Sequence, residues 1–336
     1  MKRTRLLVAC AAGLACGGGY AHHSVAPYYY TDRSISISGT ITGFEARNPH
    51  AYLHIEAVDA NGRSQNYVCE SSGISTLRRN GVTADLFKVG EKVRVEGLPS
   101  RRDPHGCFFR SVRLADGRIV KTSGNDRKPK VLRPHRDSIY GTWFIVPAGR
   151  HSSGPWAMIH YLTPAGERAV EHYDPFRDDP TLRCSPVGIR RLWSAPSEPL
   201  NIRRDGNKII IHYEWMDAVR TIYLDPSELP ANAPPTTLGR SIGHFEGDTL
   251  VVETASFAPG VLRQYVEEKG KPTRGLLHSD QLEVVERIHF DPEAQTLNVL
   301  IQRTDPKFFT RPFLPISIDY APSDTEIARF NCKPGT

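Results

Sequence analysis

From Ser34 onward the chain is written in short runs whose apolar residues return at every second position. The clearest are "SISISGTITGFEA" (34–46), "AYLHIEAV" (51–58), "KIIIHYEWM" (208–216), "QLEVVERIHF" (281–290) and "TLNVLIQRT" (296–304). A period of two sends alternate side chains to opposite faces of an extended strand, so each run buries one face and wets the other. β-Branched residues crowd the runs, and the turn sequences "DANG", "RDGN", "FEGD" and "DPEAQ" separate them. Helical periodicity is nearly absent. Strands of this kind have to close on one another, which makes the expected fold class all-β, either sandwich or barrel.

The runs fall into two groups. In the first, three strands (34–46, 51–58 and 64–70) precede a short helix in "SSGISTLRRNGV", with Ser71 or Ser72 as its cap and Gly81 as its end. "EKVRVEGL" and "CFFRSVRLADGRIV" then supply further strands. Three strands, a helix and two strands is the order of a small OB-like Greek-key barrel, expected over 22–120. Residues 121–138, "KTSGNDRKPKVLRPHRDS", hold six Lys/Arg, two prolines and little apolar content, and read as a basic linker. The second group, 139–336, adds "IYGTWFIV", "WAMIHYL", "VRTIYL" and "DTLVVETASF" as strands and reads as a larger lipocalin-like antiparallel β-barrel.

The first residues set the compartment. Lys2, Arg3 and Arg5 precede the apolar stretch "LLVACAAGLA" (6–15) and a small-residue site ending at Ala21. Ten apolar residues are half the roughly 20 that a membrane-spanning helix needs, so 1–21 reads as a signal peptide and His22 as the mature start. Neither Cys10 nor Cys16 has a full lipoprotein-type context. A periplasmic or secreted location follows, with no transmembrane segment. In that setting Cys69, Cys107, Cys184 and Cys332 read as two disulfides. Four cysteines allow three pairings; Cys69–Cys107 with Cys184–Cys332 keeps each bridge inside one domain. Half of the +6 formal charge sits in the leader, so the balance gives no reason to expect nucleic acid.

Two sets of motifs resemble known families. "AHHS" (21–24), "NPHAYLHIEA" (48–57) and "LFKVGEKVRVEGLPSRRDPHG" (86–106) are similar to an uncharacterised family of exported bacterial proteins with an A-H-H-S start and an N-P-H motif. "CSPVGI" (184–189), "LWSAPSEPLNI" (192–202), "YEWMDAVRTIYLD" (213–225), "SIGHFEGDTLVVETASF" (241–257), "HSDQLEVVERI" (278–288) and "TDPKFFTRPF" (304–313) resemble a lipocalin-like exported domain of unknown function. Gly141-Thr142-Trp143 is similar to the lipocalin G-x-W start. His244-Phe245 departs from the Arg-Trp of that group. The resemblances imply an architecture and no reaction.

Within the second unit, Glu286 shares strand parity with Leu282, Val284 and Ile288. A carboxylate on an apolar face costs several kcal/mol unless it is paired, and Arg220 is the candidate partner. Two readings follow. In the first, the larger barrel holds a small, partly apolar molecule in its lumen. Trp143, Trp156, Tyr213 and Trp215 form the wall, Arg220 and Glu286 orient polar groups, and Glu253 is a further ligand-binding candidate. In the second, Glu286, His278 and Glu214 carry protons in a cofactor-independent isomerase, lyase or hydrolase, with burial raising the carboxyl pKa. Mutually paired inward charges favour a binder. A histidine and a carboxylate converging on one empty spot favour an enzyme.

A third reading concerns metal. The α-amine and imidazole of a mature N-terminal His22, with His50 and His54 on one strand face, form a nitrogen set suited to copper. Nucleophile elbow, phosphate loop, dinucleotide fingerprint and zinc spacing are all missing, and the aromatics do not interleave with basic residues as a nucleic-acid platform requires.

Overall fold

The alternating runs close into two separate rings. The computed structural model describes residues 28–58, 62–122, 133–151, 155–195, 198–230, 232–266 and 274–334. The leader, His22 and most of the basic linker lie outside them. No helix among the described residues is long and apolar enough to cross a membrane.

In the first ring β1 (Ile35–Glu45), β2 (His50–Val58), β3 (Ser64–Ser72), β4 (Lys92–Pro99), β5 (Gly106–Arg113) and the short β6 (Ile119–Lys121) lie in the order β3-β2-β1-β4-β5-β6. β3 also pairs with β5 in parallel, closing five strands into a barrel. Cys69 stands opposite Cys107 across that seam and is bonded to it. Ile37, Ile41, Leu53, Ile55, Val95 and Phe109 fill the interior. Between β3 and β4, helix α1 (Ile74–Arg79) adds Leu77 to the same core. The helix starts after Gly73, whereas the expected caps Ser71 and Ser72 belong to β3. Gly73 itself takes the cap position without a side-chain hydrogen bond, and a side chain there would collide with Asn48 Oδ1 and the Pro49 carbonyl. Gly81, at φ +77°, makes the left-handed turn that ends the helix.

The second ring uses β7 (Gly141–His151), β8 (Leu200–Asp205), β9 (Lys208–Tyr213), β10 (Ala218–Tyr223), β11 (Arg240–Glu246), β12 (Thr249–Ala255), β15 (Glu283–Asp291), β16 (Thr296–Thr304) and β17 (Ile316–Pro322). β17 returns to β7, so nine strands close a barrel. A hairpin of β13 (Gly260–Val266) and β14 (Arg274–His278) stands outside the ring. Eight of the nine seams are antiparallel. At the ninth β10 and β11 run parallel through Ile222–Ser241 and Tyr223–Ile242, which corrects the expectation of a wholly antiparallel barrel. The long connection between those strands gives the chain room to cross back before pairing.

The insertion between β7 and β8 departs further from expectation. It holds α2 (Pro164–Glu171), α3 (Pro175–Asp178) and α4 (Gly188–Trp193), with 3-10 turns at Pro155–Tyr161 and Pro180–Arg183. "WAMIHYL" was expected as a strand and lies largely in the first of these turns. A short apolar run without alternation does not distinguish the two states, and Pro155 at its start suits a helical turn.

The two rings are joined by polar contacts. Arg79 of α1 reaches the wholly buried Glu214 at 2.5 and 2.6 Å, and Thr76 donates to Glu198 at 3.1 Å. Asn48 donates to the Phe330 carbonyl at 2.6 Å and accepts Lys333 N–H through its own carbonyl at 2.9 Å. Cys184 bonded to Cys332 pins this C-terminal tail to the helical insertion.

Candidate ligand site in the larger barrel

The parity of β15 turns Val284, Glu286, Ile288 and Phe290 inward. Glu286 meets Arg220 of β10 there. Nη1 donates to Oε1 at 2.7 Å, and Nη2 donates to Oε2. The guanidinium also reaches Ser241 at 3.0 Å and Thr254 at 2.7 Å, and those hydroxyls lie 3.0 Å apart. Burial works against charge on Arg220, yet Glu286 holds its pKa above the ordinary arginine value.

A third donor comes from outside the ring. In α4 the buried residues Ile189, Leu192 and Trp193 stand at i, i+3 and i+4, so the helix is apolar on one side. That side enters the barrel core. The Trp193 indole donates to Glu286 Oε1 at 2.5 Å, while the Tyr320 hydroxyl donates to the Trp193 carbonyl. Tyr213 meets the Trp193 ring edge-on at 5.5 Å, and burial pushes its phenol pKa upward. The space assigned to a ligand by the aromatic pattern is thus occupied by the chain's own tryptophan.

The remaining site residues are dispersed. Trp143 is packed in the core and donates to the Ile139 carbonyl at 2.8 Å. Trp215 is buried with the Arg191 guanidinium 5.1 Å from its ring. Glu253 faces outward and is exposed, because Thr254 takes the inward parity of β12. The Trp156 side chain lies outside the described residues. Glu214 belongs to the contact with the smaller barrel, where it also accepts Ala328 N–H at 3.0 Å. His278 Nδ1 lies 3.0 Å from the Ser279 carbonyl, and burial lowers its pKa, leaving it neutral near pH 7. Ser279 is locked to Asp305 by two 2.7 Å hydrogen bonds, from its backbone and from its hydroxyl. Glu286, His278 and Glu214 therefore occupy three separate hydrogen-bond sets.

The histidines of β2 do not converge either. Four residues of strand separate them by about 13 Å. His50 Nδ1 lies 2.6 Å from Glu70 of β3, and His54 Nε2 lies 2.7 Å from Glu45 of β1. Among the described residues no group of three metal-ligating side chains forms. His22 lies outside them.

The mouth of the barrel carries features that the sequence reading missed. Met158, Ile159, Leu276, Phe309 and Phe313 pack into an apolar cover, joined by Leu262 of the β13–β14 hairpin. Beside the cover a cleft of about 440 Å³ is lined by Ala255, Leu282, Thr304, Pro306, Phe309 and Pro312, among others. Arg303, the last inward residue of β16, is buried with its guanidinium 4.5 Å from the Phe313 ring. "TLNVLIQRT" held the signal for it, since Leu297, Val299, Ile301 and Arg303 share one parity. Trp193 had no comparable signal, because "GIRRLW" is too short to show a period.

Residues 8–108 match a family of unknown function (DUF6152). The match spans β1 to the first part of β5, the region of the N-P-H motif, and is under a third of the chain. No functionally curated protein matches the sequence.

Proposed function

We propose that the protein is exported and binds a small, partly apolar molecule at the mouth of its larger barrel. The leader-like N terminus and the two disulfides support export. The pairing of Glu286 with Arg220 supports binding over proton transfer, because three donors, one of them a paired guanidinium, fill most of the carboxylate's acceptor positions and favour its charged form. The observation that carries the reading is the cleft itself. Its volume of about 440 Å³ falls in the range of small-molecule sites, and Leu282, Pro306, Phe309 and Pro312 give it apolar wall among the polar and charged Asp280, Glu283, Thr304, Asp305 and Arg311. With the Trp193 side chain in the lumen, the ligand is taken at the rim.

The test uses the mature protein and a neutral apolar dye, Nile red. Saturable fluorescence gain is expected for the wild type. Ala255→Trp fills the cleft from an exposed position at the end of β12, and should weaken the dye at least tenfold while leaving the melting temperature unchanged. Equal binding by the two proteins, or no binding by the wild type, overturns the reading.

A further inference from the structure

Among the described residues, the strands of the larger barrel ring bury two arginines, Arg220 and Arg303, and one carboxylate, Glu286. Glu286 is fully engaged by Arg220 and Trp193. Arg303 is left without a counter-charge. It is 4% exposed, stands opposite Val284, and its Nε is buried with no acceptor. No carboxylate, carbonyl or hydroxyl among the described residues accepts a hydrogen bond from its guanidinium. The charge that acts on it is a second cation, Arg263 of β13, and burial together with that repulsion brings its pKa down to about 10. It therefore remains cationic at neutral pH, where an uncompensated buried charge is strongly unfavourable.

The surroundings fit a specific kind of partner. The guanidinium carbon lies over the Phe313 ring, 4.5 Å from its centroid, and a ring in that place takes no conventional hydrogen bond from the N–H edge. Two parallel donors along that edge match a pair of oxygens on a carboxylate, sulfate or phosphate group. Phe313 lies 4.6 Å from Phe309, and Phe309 lines the cleft. The two buried rings thus stand in line between the cleft and the arginine, which does not itself line the cleft.

We infer that Arg303, with Arg263 adding positive charge, is an oxyanion site beneath the barrel's cover. Resting on the mouth-binding reading, the inference specifies the ligand as an amphipathic anion. Its carboxylate or equivalent group pairs with Arg303, and its apolar part lies along Phe313 and Phe309 toward the cleft.

Thermal melts of the mature protein, at constant ionic strength set by sodium chloride, separate the alternatives. The additives are sodium decanoate, decanol and sodium sulfate. Decanoate should raise the melting temperature saturably by several degrees, with an apparent affinity at least tenfold above that of decanol. Sulfate acting while decanoate and decanol fail would uphold the oxyanion site with a free anion as its ligand and remove the apolar part of the reading. Equal effects of decanoate and decanol would overturn the anion inference and leave mouth binding standing; no effect from any additive overturns both.

Arg303→Met should abolish the anion-dependent shift while matching or exceeding the wild type in chloride alone. Arg303→Lys keeps the charge and loses the planar fork, so it tests the site even if the methionine variant fails to fold. A tenfold weaker decanoate response is expected for it, and an unchanged one would overturn the assignment.

Discussion

Inside the smaller barrel, Ile37, Ile41, Leu53, Ile55, Val95 and Phe109 meet beside the Cys69–Cys107 bridge, and no described strand residue buries a charge. Inside the larger one, Arg220, Glu286 and Arg303 stand among Ile, Val and Leu from every side, with Ser241 and Thr254 as further polar groups. Hydrocarbon and a disulfide suffice to close a ring of strands, as the smaller barrel demonstrates. Charges inside the larger ring are therefore not a requirement of closure. They bring either a specific internal lock, as at Arg220, or an unmet demand for an anion, as at Arg303.

The lock gives the largest expected effect. Arg220→Met leaves Glu286 buried without its cation and should lower unfolding free energy by about 3–5 kcal/mol in denaturant melts. Arg220→Met combined with Glu286→Leu should recover most of that loss, because hydrocarbon then replaces both charges. A single-variant loss below about 1 kcal/mol would break the contrast between the two interiors. Arg79→Ala comes next. It strips the cation from Glu214, which is fully buried where the two barrels meet, and should cost about 3 kcal/mol. Ala328 N–H still donates to that carboxylate, which keeps the loss toward the lower end. Glu214→Gln added to Arg79→Ala should restore part of the stability. A double variant no better than the single would show that Arg79 acts by packing alone.

Much of this was open to reading in the chain itself, and the division is physical. Strands with strict alternation were legible because one face of each is buried: parity alone turned Glu286 inward, whereas Glu253, expected in the lumen, lies on the outward parity of its strand. The same rule applies to Arg303, which shares the inward parity of Leu297, Val299 and Ile301. Strands lacking the signal, such as Arg240–Glu246 and Leu200–Asp205, have polar ends, so their pairing depends on neighbours distant in sequence. The N-P-H motif shows the opposite failure. Its residue types suggested metal, while Asn48 serves the contact with the C-terminal tail and His50 an ion pair with Glu70. Chemistry-bearing residue types have many uses, and only placement distinguishes them. Trp193 was beyond reach for another reason, since a six-residue helix entering a barrel is fixed by tertiary fit.

The smaller barrel keeps its ionisable groups out of its core, the His50–Glu70 pair being half-buried, and the smallest effect is expected there. His50 Nδ1 lies 2.6 Å from Glu70 Oε1, and the Tyr29 hydroxyl donates to Glu70 Oε2 at 2.7 Å. Burial alone would depress the His50 pKa, but the charge and hydrogen bond of Glu70 hold it above its ordinary 6.5. Burial alone would raise Glu70, but His50, with Tyr29 and Arg47 assisting, holds it below its ordinary 4.5. Both groups therefore favour the folded chain in their charged forms. The His50 contribution is complete below pH 6.5 and fades as pH rises through its elevated folded value, whereas that of Glu70 is complete above pH 4.5 and fades as pH falls through its lowered one. Solvent reaches a third of the His50 side chain, which screens the pair and keeps its contribution small. Denaturant melts of wild type and His50→Gln across pH 5 to 9 should differ most at the acid end and converge toward the alkaline end. Parallel curves would mean that the pair carries no charge-dependent stability, and that the smaller barrel owes its fold to its interior alone.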